Sequence, residues 1–199
     1  MKSTTISHLL RRPGPVLLDG GVGSELARRG IRTSMPLWSA HALFDHKGLQ
    51  TLTKVHEDYA RAGAEVLVAN TFRTSRHTLR KAGREEHWRL VNGRAVECAR
   101  AAAAIPTHPC LVAGAIAPLE DCYRPDLVPL QADCEDEHRR QVELLAELGV
   151  DLILIETMNC SREALAALVA ARDCGIDALL SLCPRPPGHL LSGEPLDEA

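Results

Sequence analysis

Two acids in this chain stand where a carboxylate is costly. Asp19 ends the apolar run "PVLLDG" (15–20), and Glu156 ends the apolar part of "DLILIETM" (151–158). An acid closing a buried strand costs free energy unless it meets hydrogen-bond donors or a cation. Asn70 and Thr71 close a further run, "AEVLVANTF" (64–72), and Ser181 lies within "DALLSLCP" (177–184). One such acid could cap the loop that follows it, but two on one rim favour a shared ligand. Two carboxylates with small polar groups suit an ammonium, and Gly20 and Gly21 let backbone amides approach closely. That chemistry points to an amino acid. The competing reading is a magnesium ion, which usually comes with substrate phosphates. No phosphate loop is visible: "GVGSEL" lacks the third glycine of the dinucleotide fingerprint, and no acid closes a second strand at the expected distance.

The elements that must position these residues alternate. With "CLVAGAIAP" (110–118), the apolar runs number five, and they are continuous rather than alternating, as strands covered on both faces should be. Helical patterns fall between them. Leu49, Leu52, Val55 and Tyr59 recur at helical spacing over 45–62, with Gly63 as the stop. The segment 84–104 carries Leu90, Val91, Ala95 and Cys98. "EDEHRRQVELLAELGV" puts acids early and stops at Gly149, and Ser161 is the expected N-cap of a helix closed by Gly175. This is a parallel α/β protein, whose ligands collect at the carboxyl ends of the strands in barrels and doubly wound sheets alike.

The remaining composition narrows the class. The chain has 199 residues, 45% hydrophobic, with a formal net charge of -3 and no long run of either sign, so one domain (1–199) is expected and neither a nucleic-acid nor a membrane partner is indicated. The start reads as neither a signal peptide nor a span. The cysteines number seven, an odd count that argues against a secreted disulfide framework and for a cytoplasmic protein. No local metal motif appears among them. His56 and His77 read as solvated helix-surface groups, Trp38 as an aromatic packing a long loop against the rim, and His189 lies near the fifth strand's rim.

The segments "LLDGGVGSELARRG", "PLWSAHAL", "VHEDYARAGAEVLVANTFRTS", "VAGAIAPLEDCY", "DLILIETMNCSREALAAL" and "GHLLSGEPLDEA", in this order, resemble the homocysteine S-methyltransferase family. The resemblance implies a TIM-type (β/α)8 barrel that moves a methyl group from S-methylmethionine, betaine or a methylfolate to the thiol of homocysteine, giving methionine. It also implies a zinc ion that binds that thiol and makes the thiolate available. Carried over by motif, Asp19 and Glu156 hold the homocysteine amino group. Gly20, Asn70, Thr71 and Phe72 line the same pocket.

The chain departs from that pattern. The family's zinc ligands are a cysteine after the sixth strand and an adjacent pair in a "GGCC" motif after the eighth, and no adjacent cysteine pair occurs here. Cys160 and Cys183 match neither position. The expectation is therefore the first five β/α units of the barrel, C-terminally truncated, with the zinc-binding part absent. The alternative is a noncatalytic amino-acid-binding or interaction module derived from the family. An incomplete barrel leaves two open sheet edges, so aggregation, self-association through them or pairing with a missing half is expected, whereas a doubly wound sheet of five strands would need no closure. Ala69, Ala117 and Asn159 also depart from the family's habit near the rim, which bears on the methyl donor.

Overall fold

The computed structural model describes residues 5–198. Four of the five apolar runs become the strands of one parallel sheet: β1 (Val66–Ala69), β2 (Leu111–Ile116), β3 (Leu152–Met158) and β4 (Ala178–Leu182). Val66 registers with Leu111, Ala113 with Leu152 and Ile153 with Ala178. The first run supplies only a single bridge, Leu18 beside Val66, held by Asp19 N–H donating to the Val66 carbonyl at 3.0 Å and Glu65 N–H to the Leu17 carbonyl at 2.8 Å. Counting it, the five strand positions follow chain order, each stepping to the same side of the last. A doubly wound sheet reverses direction at a switch point, and this one does not. It is an arc of a (β/α)8 barrel.

The helices are α1 (Ile6–Leu10), α2 (Val22–Arg28), α3 (His46–Arg61), α4 (Arg76–Lys81), α5 (Trp88–Ala103), α6 (Gln131–Glu147) and α7 (Ser161–Asp173). Asp45 caps α3, its carboxylate accepting the Gly48 N–H at 2.7 Å. Gly63, Gly149 and Gly175 follow α3, α6 and α7 with positive φ, as left-handed helix stops require. Strand periodicity sorts the core into two faces. Val112, Ile116, Ile153 and Ile155 pack outward against Val96, Val142, Leu145 and Ala167 of α5, α6 and α7. Val66, Leu111, Ala113 and Leu152 face inward, where Ile6 and Leu9 of α1 close the amino ends of the strands.

Several expectations change. Ser161 is the first residue of α7 rather than its cap: Cys160 takes the cap position without a side-chain bond, and the Ser161 amide donates to the Glu194 carboxylate at 3.1 Å. The fifth run stops at Leu182. After Cys183 the chain turns into a small antiparallel hairpin of β5 (Pro184–Arg185) and β6 (His189–Leu190). Ser181 and Leu180 on β4 are exposed, as are Leu17 and Leu18 at the opposite edge.

Candidate functional site

The carboxyl ends of the strands open into a cleft of about 640 Å³, lined by Asp19, Gly20, Asn70, Phe72 and Glu156 among others. Each is delivered by its strand. Asp19 follows the Leu18 bridge, and its Oδ2 accepts the Val68 N–H at 2.9 Å. That amide would otherwise pair with the Asp19 carbonyl as the next rung of a parallel ladder. The carboxylate therefore replaces a rung, which ends the strand after one bridge and leaves the acid buried at the rim with a side chain 2% exposed. Glu156 shares the inward face with Leu152 and Leu154. It stands where the β3–β4 register shifts, beside Thr157, a non-glycine residue at φ 57.

Burial raises both acids. Asp19 is pushed from 3.8 up to about 7, mostly by desolvation and further by the charge of Glu156, against the lowering effect of the Val68 bond. Glu156 rises from 4.5 to about 7 by desolvation. Two carboxyls so poised in one cavity are only partly ionised at neutral pH, and a cation between them would favour the ionised form of both.

The other predicted residues divide. The Asn70 amide is locked: Ser39 Oγ donates to its Oδ1 at 2.7 Å, and its Nδ2 donates to the Ser39 carbonyl at 3.0 Å. Phe72 meets Trp38 edge to face, centroids 5.9 Å apart. Trp38, held at φ 45, lines the cleft as well as packing the loop. A Cβ on Gly20 would come within 2.8 Å of the Tyr59 hydroxyl, so a side chain there would have to displace the Tyr59 ring. Thr71 is the exception. Its hydroxyl donates to the Ala115 carbonyl at 2.9 Å and accepts the Ala115 N–H at 2.8 Å, so it ties β1 to β2 and does not line the cleft.

His56 corrects the sequence reading. It is fully buried, not solvated, with Nδ1 3.8 Å from Asp19 Oδ2 and neither ring nitrogen hydrogen-bonded among the described residues. Desolvation lowers it to about 4, so the ring is neutral at neutral pH. Its place on α3 was readable: it stands four residues after Leu52 and four before Ala60, both buried. His77 is half-buried against Glu120, Nε2 to Oε1 at 2.8 Å, and His189 contacts the Pro187 carbonyl; neither lines the cleft. Arg73, which the sequence reading did not single out, does line it.

The zinc implied by the resemblance can be tested on the donor set. Among the described residues, no three or more of His, Cys, Asp and Glu are grouped so as to hold a metal ion. All seven cysteines are free, and burial pushes their thiols up, Cys110 to about 11 and Cys134 to about 12. The described residues do not fit a zinc ion.

An arc of a β/α barrel with two buried carboxylates in a cleft at its carboxyl rim places the chain in the class of β/α barrel proteins. The homocysteine S-methyltransferase family profile matches residues 16–199, and the chain belongs to that family. It is 34% identical over 211 residues to Homocysteine S-methyltransferase of Escherichia coli (strain K12), covering 98% of this chain and 67% of that protein. It is 30% identical over 209 residues to Homocysteine S-methyltransferase 3 of Zea mays, covering 93% and 61%. The metallated form of the E. coli homocysteine methyltransferase MmuM superposes with a TM-score of 0.84 at 30% identity, covering 97% of this chain and 71% of that one. The chain thus spans about 60% of the length of the Zea mays relatives it matches.

Proposed function

We propose that the cleft binds homocysteine, and that the chain serves methyl transfer from S-methylmethionine, betaine or a methylfolate to the homocysteine thiol, giving methionine. The observation that carries this reading is the pair Asp19 and Glu156, buried in one cleft and each raised to about 7. An α-ammonium is the cation that would let both ionise. Asn70, fixed by Ser39, and the Phe72–Trp38 wall orient the rest of the amino acid. In the reaction the thiol gives up its proton to solvent, a bond forms between the sulfur and the methyl carbon, the bond from that carbon to the donor heteroatom breaks, and its electron pair leaves with the donor. This chain's residues contribute binding, alignment and exclusion of water. No step is assigned to a metal, because the described residues do not fit one.

That same misfit favours a second reading, a noncatalytic amino-acid-binding module. Calorimetric titration with homocysteine and methionine, with and without a methyl donor, separates them. Binding with methionine formation supports the transferase; binding without it supports the module; no binding, or binding untouched by Asp19→Asn, removes both. The free cysteines support a reducing, cytoplasmic setting. The exposed Leu17, Leu18 and Leu180 at the two sheet edges support self-association, and a monodisperse monomer in light scattering would argue against it.

A further inference from the structure

The cleft holds one buried cation that the amino-group chemistry leaves unused. Arg73 is 6% exposed, lines the cavity and follows Phe72, over whose ring its guanidinium lies at 5.1 Å from the centroid. Its Nη1 donates to the Glu120 carbonyl at 2.8 Å, while Nε is buried with no partner among the described residues. Of the neighbouring acids, Glu120 pairs with His77 and Lys81, while Glu163 accepts through Oε1 from the Leu119 amide at 2.8 Å and from His138 at 3.1 Å and keeps Oε2 buried without a partner among the described residues. Asp121 accepts the Tyr123 N–H at 2.9 Å. No carboxylate lies within ion-pair distance of Arg73 among the described residues.

A buried guanidinium without an ion partner is costly. Desolvation pulls its pKa down from the ordinary value, with Cys122, Asp121, Glu120 and Glu163 opposing. Nη1 is committed to the Glu120 carbonyl and Nε is closed off from solvent, so a carboxylate meets the two parallel N–H groups of the Nε–Nη2 edge once the guanidinium turns toward the cleft. The cavity therefore carries acids on one side and a fork-shaped cation in the same space, a polarity complementary to a zwitterion.

We propose that Arg73 is a carboxylate subsite of the cleft, its Nε–Nη2 edge receiving a carboxylate of the bound ligand. This inference rests on the amino-acid reading above. The carboxylate could be that of the thiol acceptor or that of an amino-acid donor such as S-methylmethionine. A lysine would supply a point charge but not the fork, so Arg73→Lys should recover only part of the preference that Arg73→Gln abolishes.

The test is a cycle between ligand and protein, read by calorimetry on the full chain. The acceptor arm compares homocysteine with 3-aminopropane-1-thiol, the same molecule without its carboxylate. The donor arm compares S-methylmethionine with its decarboxylated sulfonium. In the wild type, losing the carboxylate should weaken binding by about 10- to 100-fold, the range of a charge-assisted hydrogen-bonded pair; in Arg73→Gln, the two members of an arm should bind within about threefold. Collapse in the first arm assigns the acceptor's carboxylate, and collapse in the second assigns the donor's. The wild-type comparison needs no variant, so a poorly folding Arg73→Gln leaves the question open to measurement through Arg73→Lys. Full carboxylate preference retained in both arms of a folded variant overturns the proposal. The deaminated probe 4-mercaptobutyrate separates the two readings: if it binds as well as homocysteine while Arg73 still sets the carboxylate preference, the ammonium reading fails and Arg73 stands. If wild type binds none of the probes, both fall.

Discussion

Replacing Asp19 by Asn should stabilise the free protein at alkaline pH while removing its affinity for an ammonium. Asp19 is raised from 3.8 to about 7. A carboxyl whose folded pKa is raised adds nothing unfavourable below its unfolded pKa and loses stability as pH climbs to the folded value, because the unfolded chain has ionised and the folded one has not. At about 1.4 kcal/mol per tenfold change in proton affinity, the rise amounts to a ceiling of about 4 kcal/mol, and relaxation around the acid brings the expectation to about 2–4 kcal/mol. His56 works in the opposite sense, since its lowered pKa of about 4 costs stability as pH falls below 6.5. The difference between Asp19→Asn and wild type cancels that contribution. Asn keeps a carbonyl oxygen for the Val68 amide, so the rung survives. Urea denaturation at pH 4.5 and pH 8 should show the variant within about 1 kcal/mol of wild type at the lower pH and more stable by about 2–4 kcal/mol at the higher. A gap that does not change with pH would refute the claim that Asp19 is held protonated by burial.

Other outcomes follow from the same geometry. Binding of an amine ligand at pH 7 should release about one proton, drawn in part from each acid, and titration in buffers of different ionisation enthalpy measures it; buffer-independent heats would contradict this. Thr71→Val should destabilise by about 2–4 kcal/mol, because it strips partners from a buried N–H and a buried carbonyl of Ala115, and the denaturation midpoint reports it. Gly48→Ala gains up to about 1 kcal/mol of helix propensity, yet its Cβ would lie 2.3 Å from the Ala42 carbonyl oxygen. Backbone must move there, so a net loss of about 1–3 kcal/mol is expected in the same assay.

What could be read from the sequence depended on which signals have a single cause. Strands β1 to β4 were legible because a sheet covered on both faces leaves continuous apolar runs, and Gly63, Gly149 and Gly175 marked helix ends because left-handed backbone favours glycine. The shortness of the first strand was not legible, since it turns on one side chain taking one amide, Asp19 on Val68. His56 was misread because histidine on a helix is commonly solvated, although its spacing from Leu52 and Ala60 placed it on the buried face. Arg73 gave no signal at all. An arginine after an aromatic residue looks like surface until the fold brings the Glu120 carbonyl onto its guanidinium.

A polar residue at a strand end has two sources, and the sheet separates them. In a parallel arc each strand ends beside a neighbour whose next backbone groups lack a rung, and a short polar side chain can supply it. Thr71 does this completely for Ala115. Asp151, at the start of β3, does the same for Val112 with a bond of 2.7 Å. Neither lines the cleft. Asp19 also replaces a rung, but one amide would hold an ionised carboxylate at a low pKa in a wetter place, and here the acid is still raised to about 7. Glu156 replaces no rung and is raised to about the same value. The rung explains why a polar group stands at a strand end; it does not explain an acid whose charge is left uncompensated. That residual charge cost, present at Asp19 and Glu156 and absent at Thr71, is the physical mark of a ligand site on this rim.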